Sequence, residues 1–313
     1  MTILPKIDVI DLSIVIVNWN VRELLRRCLA SIFVADLPRM EVIVVDNASS
    51  DGSSEMLRAE FPQVMLLANA HNRGFPAGNN QAFAVARGRY VMTLNPDTEL
   101  IGQALTGMLA YLDAHPQVGA LGPQLLNPDG SIQSSRRRFP TLSTALFEST
   151  WLQGLAPHGV LQRYYMEDIA PNVMQEVDWL VGACILVRRE VLQTVGGFDE
   201  AFFMYSEELD WCKRIQSAGW KIVYLPEAKV IHHTGRSSEQ AVAARHIHFQ
   251  TSKVRYFRKH HGRWAAGVLR LLLLGMYVWQ LGLESAKALL GHKRSMRRQR
   301  IGVYWQVLRS GLR

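Results

Sequence analysis

Cysteine is scarce in this chain of 313 residues: Cys28, Cys184 and Cys212 are widely spaced, each in an apolar setting, and no C-x-x-C occurs. Such an odd, scattered set excludes a disulfide framework and a thiolate zinc site, and it points to a reducing compartment. Glycine-rich phosphate loops are missing too. Neither G-x-G-x-x-G nor G-x-x-x-x-G-K-[ST] follows a candidate strand, so whatever nucleotide binds must be held otherwise, by side chains and a metal. The first eleven residues carry Lys6 but no apolar run of signal-peptide length, which leads to the expectation of a cytoplasmic catalytic part. Acids are nearly absent from the end of the chain. Residues 253–313 hold fourteen Lys or Arg against one acid, Glu284, whereas the residues before them hold 21 bases and 26 acids, so the net charge of +8 belongs to the tail. A chain-wide nucleic-acid surface is thereby excluded, and a local anionic partner for the tail is expected instead.

What is present is globular: 48% hydrophobic and 20% charged residues, enough for one large α/β domain and an appendage. Ser13-Ile14-Val15-Ile16-Val17 and Glu41-Val42-Ile43-Val44-Val45-Asp46 read as buried parallel strands, the first breaking at Asn18-Trp19-Asn20 and the second delivering Asp46 to its end. A helix over 21–33 separates them. A third strand over 64–67, a turn through Asn72-Arg73-Gly74-Phe75-Pro76 and a helix over 78–87 follow, with Gly88 placed as the glycine after a helix end. Tyr90 to Leu94 then runs into Asn95-Pro96-Asp97. Pro96 cannot donate to a sheet ladder, so an acid is presented at the strand's carboxyl end, where open α/β sheets bind ligands. A plain turn, with Asp97 capping a helix from Glu99, is the competing local reading. Asn127-Pro128-Asp129-Gly130 reads as a turn between short strands, residues 140–175 as an irregular excursion, and Val177 to Val187 as one strand with small residues in its middle. Short strands over 220–224 and 229–231 lead to His232-His233.

Taken together and in order, IVIVNWN, VVDNASSDGS, NRGFPAGNN, LNPDTEL, WLVGACILV with GGFDEAFFMYSEELDWCKR, and HHTGRSS resemble a family 2 inverting glycosyltransferase of the rhamnosyltransferase-like branch. The resemblance covers about residues 11–240. It implies a GT-A fold, a doubly wound, mostly parallel, Rossmann-like α/β sheet, with residues 1–240 catalytic, while the apolar and basic make-up of residues 241–313 reads as a helical, membrane-associating extension. It further implies donor contacts at Asn18, Asp46, Asn72, Arg73, Gly74, Phe75 and Asn95, a divalent metal (Mg²⁺ or Mn²⁺) on Asp97 and His232, and acceptor contacts at Trp179, Gly182, Ala183 and Asp210. The acidic pair falls on Glu207 and Glu208. The second acid is the expected general base, although relatives often carry Asp there, and neighbours on a helix point about 100° apart, so only one of the two can serve.

The implied reaction is transfer of a sugar, L-rhamnose from dTDP-L-rhamnose as first choice, from a nucleotide sugar to a hydroxyl of a saccharide or lipid-linked acceptor in cell-surface polysaccharide assembly. Other hexoses from UDP-, dTDP- or GDP-sugars stay open, and a non-catalytic sugar-binding protein is the alternative of another class. Such a transfer needs the leaving diphosphate's charge stabilised by a metal and the acceptor hydroxyl deprotonated by one carboxylate, which are the residue types named. The tail adds Trp264 to Leu283, mostly apolar and interrupted by Arg270 and Gln280, with bases on both sides. A single span would carry one basic cluster across the membrane. Interfacial helices on the anionic inner face of the cell membrane, bringing the site to a polyprenyl-linked acceptor, are the expectation, against a true span or a helix simply packed on the catalytic part.

Overall fold

Each apolar run of the first half becomes a strand, and the loops after them gather at one edge. The computed structural model describes residues 10–35, 37, 39–148, 150–233, 242–291 and 293–313. The chain folds as two compact units.

The first unit (Met1–Phe139, Tyr165–Glu200 and Glu208–Ser237) holds the sheet. Its elements are β1 (Leu12–Asn18), α1 (Arg22–Phe33), β2 (Met40–Asp46), α2 (Ser53–Glu60), β3 (Met65–Ala68), α3 (Phe75–Phe83), β4 (Tyr90–Leu94), β5 (Thr98–Ile101), α4 (Ala104–Ala114), β6 (Val118–Leu126), β7 (Ile132–Gln133) and β8 (Arg136–Arg137). The strand order is β3-β2-β1-β4, then β11 (Cys184–Arg188), β6, β12 (Lys221–His232) and β5, with β7 on β6 and β9 (Gln175–Glu176) on β12. β1, β2, β3 and β4 are parallel; β11 runs antiparallel between β4 and β6, which therefore share a direction, and β12 is parallel to β6. The expected mostly parallel doubly wound sheet is found. β1 and β4 are buried along their whole lengths, as β-branched, uninterrupted apolar strands covered on both faces must be. α1 turns Leu25, Cys28, Leu29 and Ile32 into the core at helical spacing.

Several local expectations change. Residues after Asp97 form β5, not a helix, because β5 pairs with the end of β12 and that pairing gives the apolar face of Thr98–Ile101 a place to be buried. The expected strand over 177–187 is interrupted: β10 (Trp179–Leu180) pairs with β8, whereas β11 joins the main sheet. The segments at 220–224 and 229–231 form one strand, β12, with a register shift between Leu225 and Lys229 where Pro226 cannot continue the ladder. Helix α3 ends at Phe83, so Gly88 caps nothing. Its role is close approach, since a Cβ there would stand 2.5 Å from the backbone N of Ser13.

The second unit comprises Pro140–Tyr164, Ala201–Glu207 and Ser238–Arg313. It thus takes in two segments that a simple division at residue 240 assigns to the catalytic part. The excursion after residue 140 contains α5 (Leu142–Phe147), a 3₁₀ turn (Trp151–Leu155) and α6 (Val160–Tyr164). The tail forms α9 (Val242–His260), α10 (Gly262–Leu289) and α11 (Arg294–Ser310), preceded in chain order by α7 (Arg189–Val195) and α8 (Glu207–Ser217). α10 packs on α9, α11 and α5. Lys253 of α9 donates to Glu148 Oε2 (2.7 Å) and to the Glu148 carbonyl (3.1 Å), tying the tail to the end of α5. The Ala201–Glu207 segment is held by α9, through Ser252 Oγ to the Met204 carbonyl (2.8 Å) and Phe203 stacked on His248 (4.6 Å).

α10 has two chemically different sides. Ala266, Leu269, Leu273, Tyr277 and Glu284 are buried. The exposed positions from 264 to 290 are Trp264, Gly267, Leu271, Leu272, Gly275, Val278, Trp279, Gly282, Leu283, Ala286, Leu289 and Leu290, with no polar side chain among the twelve.

Candidate active site

Parallel pairing puts the ends of β1 and β2 level, with Asn18 opposite Asp46. The strand order reverses between β1 and β4, so the loops after these two strands flank a topological switch point, the usual ligand crevice of such sheets. Both polar residues are buried. Asp46 accepts four hydrogen bonds, from Asn18 Nδ2 (2.8 Å), Ser49 Oγ (2.6 Å), Ser49 N (3.2 Å) and Ser54 Oγ (3.0 Å). Its carboxylate is therefore largely committed to the chain. Asn18 Oδ1, by contrast, is buried with no hydrogen-bond partner among the described residues. Because such an atom costs about 1–3 kcal/mol of desolvation, an N–H or O–H of a bound ligand is its natural complement.

The NRGF turn closes the same side. Asn72 Oδ1 accepts from Gly74 N (2.9 Å), Gly74 has φ +86°, which favours glycine, and Asn47 Nδ2 donates to the Gly74 carbonyl (3.1 Å). Arg73 is exposed at the tip. Phe75 turns its ring towards Phe198 (5.9 Å between centroids).

Pairing of β5 with β12 places Thr98 opposite His232, and so brings His232 beside Asp97. Both side chains are buried, with His232 Nε2 3.4 Å from Asp97 Oδ1 and 3.5 Å from Asn95 Nδ2. The turn that carries Asp97 is pinned from three sides. Asn95 N donates to the Ala183 carbonyl (2.9 Å), and the Asn95 carbonyl accepts from Thr98 Oγ1 (2.7 Å) and Cys28 Sγ (3.6 Å). His233 is engaged elsewhere, 2.7 Å from Glu99 Oε1, so His232 is the histidine that faces Asp97. Residues 234–238 of the HHTGRSS motif lie outside the described residues. One carboxylate and one imidazole form a sparse set. It suits a hard divalent ion that takes its remaining oxygens from water and a diphosphate, and the residues present fit that group. No cluster of three or more potential protein ligands exists among the described residues.

Glu208 sits in the first turn of α8. The residue keeps some accessible surface, but its Oε2 is enclosed and without a hydrogen-bond partner among the described residues. Burial pushes its carboxyl above the ordinary range, opposed by backbone N–H groups, including that of Gly182, and by the charge of Arg137. Gly182 lies against it: a Cβ there would meet Glu208 Cβ at 3.4 Å and Cδ at 3.6 Å. The break between β10 and β11 thus touches both halves of the site, with Gly182 lying against the Glu208 side chain and its neighbour Ala183 holding the Asn95 turn. Glu207 is buried one residue earlier.

Of the residues expected to contact an acceptor, Gly182 lies against the Glu208 side chain. Trp179 is buried and spends its indole N–H on the Arg138 carbonyl (3.0 Å). Ala183 is enclosed, and Asp210 is fully buried in an ion pair with Arg214 (2.8 Å), whose guanidinium also holds the Val195 and Gly197 carbonyls. The polar groups of Trp179 and Asp210 are thus paired within the chain, as buried polar groups have to be. Sequence reasoning missed Ser49 and Ser54, which neutral turn chemistry hides, and Arg137, which is fixed by Ser134 and lies over Tyr165 (4.5 Å). A run of three arginines was the available signal.

Residues 13–196 match the description Glycosyl transferase family 2. The chain is 32% identical over 279 residues, 84% of its length and 89% of the relative's, to the N-acetylglucosaminyl-diphospho-decaprenol L-rhamnosyltransferase of Mycobacterium tuberculosis (strain CDC 1551 / Oshkosh). It is 28% identical over 168 residues, 51% of this chain and 61% of the relative, to the rhamnosyltransferase WbbL of Escherichia coli (strain K12). Among solved structures, the mannosyltransferase PcManGT of Pyrobaculum calidifontis in complex with GDP-Man and Mn²⁺ superposes with a TM-score of 0.54 at 17% identity, covering 95% of this chain and 84% of that one, which speaks to the fold alone. By the family match over residues 13–196 and the rhamnosyltransferase relative over most of its length, the chain belongs to glycosyl transferase family 2 and is a glycosyltransferase of its rhamnosyltransferase-like branch.

Proposed function

We propose that the protein transfers L-rhamnose from dTDP-L-rhamnose, with inversion and in the presence of a divalent metal, to a hydroxyl of a polyprenyl-diphosphate-linked saccharide. The observation that carries the chemistry is the joint placement of Asp97 with His232 and of Glu208 at the two ends of the short Asn95–Ala183–Gly182 connection. The choice of sugar and acceptor rests on the rhamnosyltransferase relatives.

Asn18, Asn72 and the Gly74 turn bind and orient the nucleotide. Asp97 Oδ1 and His232 Nε2 would hold the metal, which when bound supplies positive charge for the leaving diphosphate. Glu208 Oε2 takes the proton from the acceptor hydroxyl as that oxygen attacks the anomeric carbon from the face opposite the diphosphate. One bond forms, one breaks, and no covalent enzyme intermediate is needed. Burial suits Glu208 to this task, since a carboxylate made more basic than usual is a better proton acceptor.

Attachment to an anionic membrane surface is the second part of the proposal. α10 is the one helix among the described residues long and apolar enough to cross a membrane. What supports an in-plane position is its other side. Tyr277 OH pairs with His246 Nδ1 (3.0 Å), Glu284 with Arg297, and Arg270 Nε donates to the Gly311 carbonyl (2.6 Å), so these three polar groups are turned into the helical unit and the twelve exposed apolar positions are left for lipid.

The deciding experiment incubates purified protein with a panel of dTDP-, UDP- and GDP-sugars and a short-chain polyprenyl-diphosphate GlcNAc acceptor, with Mn²⁺ or with EDTA. Product mass and anomeric coupling are read. Transfer only from dTDP-L-rhamnose and only with metal is expected; preferential use of another donor, or full turnover in EDTA, overturns the corresponding part.

A further inference from the structure

We propose that Gln133 is a positioning residue which, through a directional hydrogen-bond chain from the Asn127-Pro128-Asp129-Gly130 turn, holds His232 in the tautomer whose bare Nε2 faces Asp97. The chain starts at a group that can only accept. Ser131 donates both its Oγ–H (2.6 Å) and its backbone N–H (2.9 Å) to Asp129 Oδ1. Those bonds hold the Asp129 carboxyl below its usual range, so it stays ionised. With its proton spent on Asp129, Ser131 Oγ can only accept from Asn127, and Asn127 Nδ2 donates to it at 3.0 Å. Asn127 is thereby oriented with Oδ1 towards Gln133, where it accepts from Gln133 Nε2 (2.9 Å). Gln133 in turn presents Oε1 to His232 Nδ1 at 2.7 Å, and an amide oxygen at that distance requires the proton to be on Nδ1.

The consequence lies at the far side of the ring. A neutral imidazole with its proton on Nδ1 has a lone pair on Nε2, and that lone pair stands 3.4 Å from an oxygen of the Asp97 carboxylate. Asn95 Nδ2, at 3.5 Å from Nε2, supplies the nearest N–H. Two electron-pair donors facing each other in a buried place call for a cation between them. Outer partners of metal-binding histidines act in this way, fixing the tautomer and ring orientation, and their loss typically costs about 10–100-fold in metal affinity. The turn at 127–130, which looks like a plain connection between β6 and β7, then has a function. β7 pairs with the end of β6, opposite the strand that bears His232, and so carries Gln133 to the ring.

The consequence for the metal rests on the metal reading given above; the tautomer does not, and the two are tested separately. In ¹⁵N-histidine-labelled, metal-free protein at mildly alkaline pH, long-range ¹H–¹⁵N spectra, with His232→Ala to assign the ring, should show a protonated Nδ1 and an unprotonated Nε2. Gln133→Leu should lose that pattern, and Gln133→Glu, whose carboxylate still accepts from Nδ1, should keep it. Mn²⁺ binding is then measured by electron paramagnetic resonance with dTDP, UDP or GDP present. Gln133→Leu should weaken it about 10-fold or more, and Gln133→Glu should recover most of the loss. A protonated Nε2 in the wild type, or unchanged Mn²⁺ affinity in a folded Gln133→Leu, overturns the inference. Equal Mn²⁺ binding by wild type, Asp97→Ala and His232→Ala instead removes the metal reading and leaves the tautomer to the spectra.

Discussion

Glu208 is under two opposed demands. Burial disfavours its charged form, yet the proposed chemistry needs that form, so the carboxyl is held at a cost in stability for the sake of basicity. The sign follows from linkage: a carboxyl with a raised folded-state pKa binds its proton more tightly when folded, and the protein loses stability as pH rises through that value. Glu208→Gln should therefore raise Tm relative to wild type at neutral and alkaline pH, while lowering kcat about 10²-fold or more with donor affinity retained. Wild-type kcat should fall on the acid side with an apparent pKa above the ordinary glutamate range. Glu207→Gln is the control, and a larger loss of kcat there than at Glu208 would move the base one residue back. For Asp97 the expectation is simpler. Asp97→Ala should abolish transfer with the far-UV circular dichroism unchanged, and His232→Ala should raise the Mn²⁺ concentration needed for half-maximal rate about 10-fold or more. Near-normal turnover of Asp97→Ala in EDTA would remove the metal from the site.

Among the elements, the β4 lead-in approaches β1 closely at Gly88. A methyl at Gly88 would lie 2.5 Å from Ser13 N and 2.7 Å from the Leu12 carbonyl carbon, atoms of a central strand that cannot move aside. Gly88→Ala should cost about 3 kcal/mol by denaturant unfolding. Gly107, inside α4 with open space beside it, is the contrast: Gly107→Ala should stabilise by about 0.5–1 kcal/mol. If both changes are neutral, the strand approach is looser than described. The same contact explains a misreading, because Gly88 looks like a helix-ending glycine until α3 is seen to end at Phe83. Likewise Val177 to Val187 looks like one strand. Only the pairing partners, β8 for one half and β4 with β6 for the other, reveal a break at Val181-Gly182-Ala183, and that break borders the candidate site.

At the scale of the whole molecule, the basic tail and the apolar stripe of α10 are tested together. Vesicles containing anionic lipid should bind the intact protein and release part of it at high salt. Replacing Leu271 and Leu283 by Asp should abolish that binding, because both are exposed and make no part of the helix's packed side, whereas transfer to a water-soluble acceptor analogue should persist. Retained binding would show that the stripe is not the docking face, and resistance to carbonate extraction would favour a true span. Point changes are the better probe than truncation, since removing the tail would also uncover Pro140–Tyr164 and Ala201–Glu207, which belong to the same unit.

The order of strands and helices in the first half, the acids after β2 and β4 and the charge of the tail were legible from the chain alone, because burial on both faces demands continuous β-branched runs and Pro96 can only end one. The family resemblance was legible for a related reason: its motifs are loops after strands, whose residues are chosen for what they hold. Pairing across distant segments was not. That Asn18 comes level with Asp46 and keeps its Oδ1 unpaired, and that Gln133 reaches the His232 ring, depend on register between strands far apart in sequence. A shift of one residue in such a register would turn each of these side chains to the other face, so only the folded chain decides them.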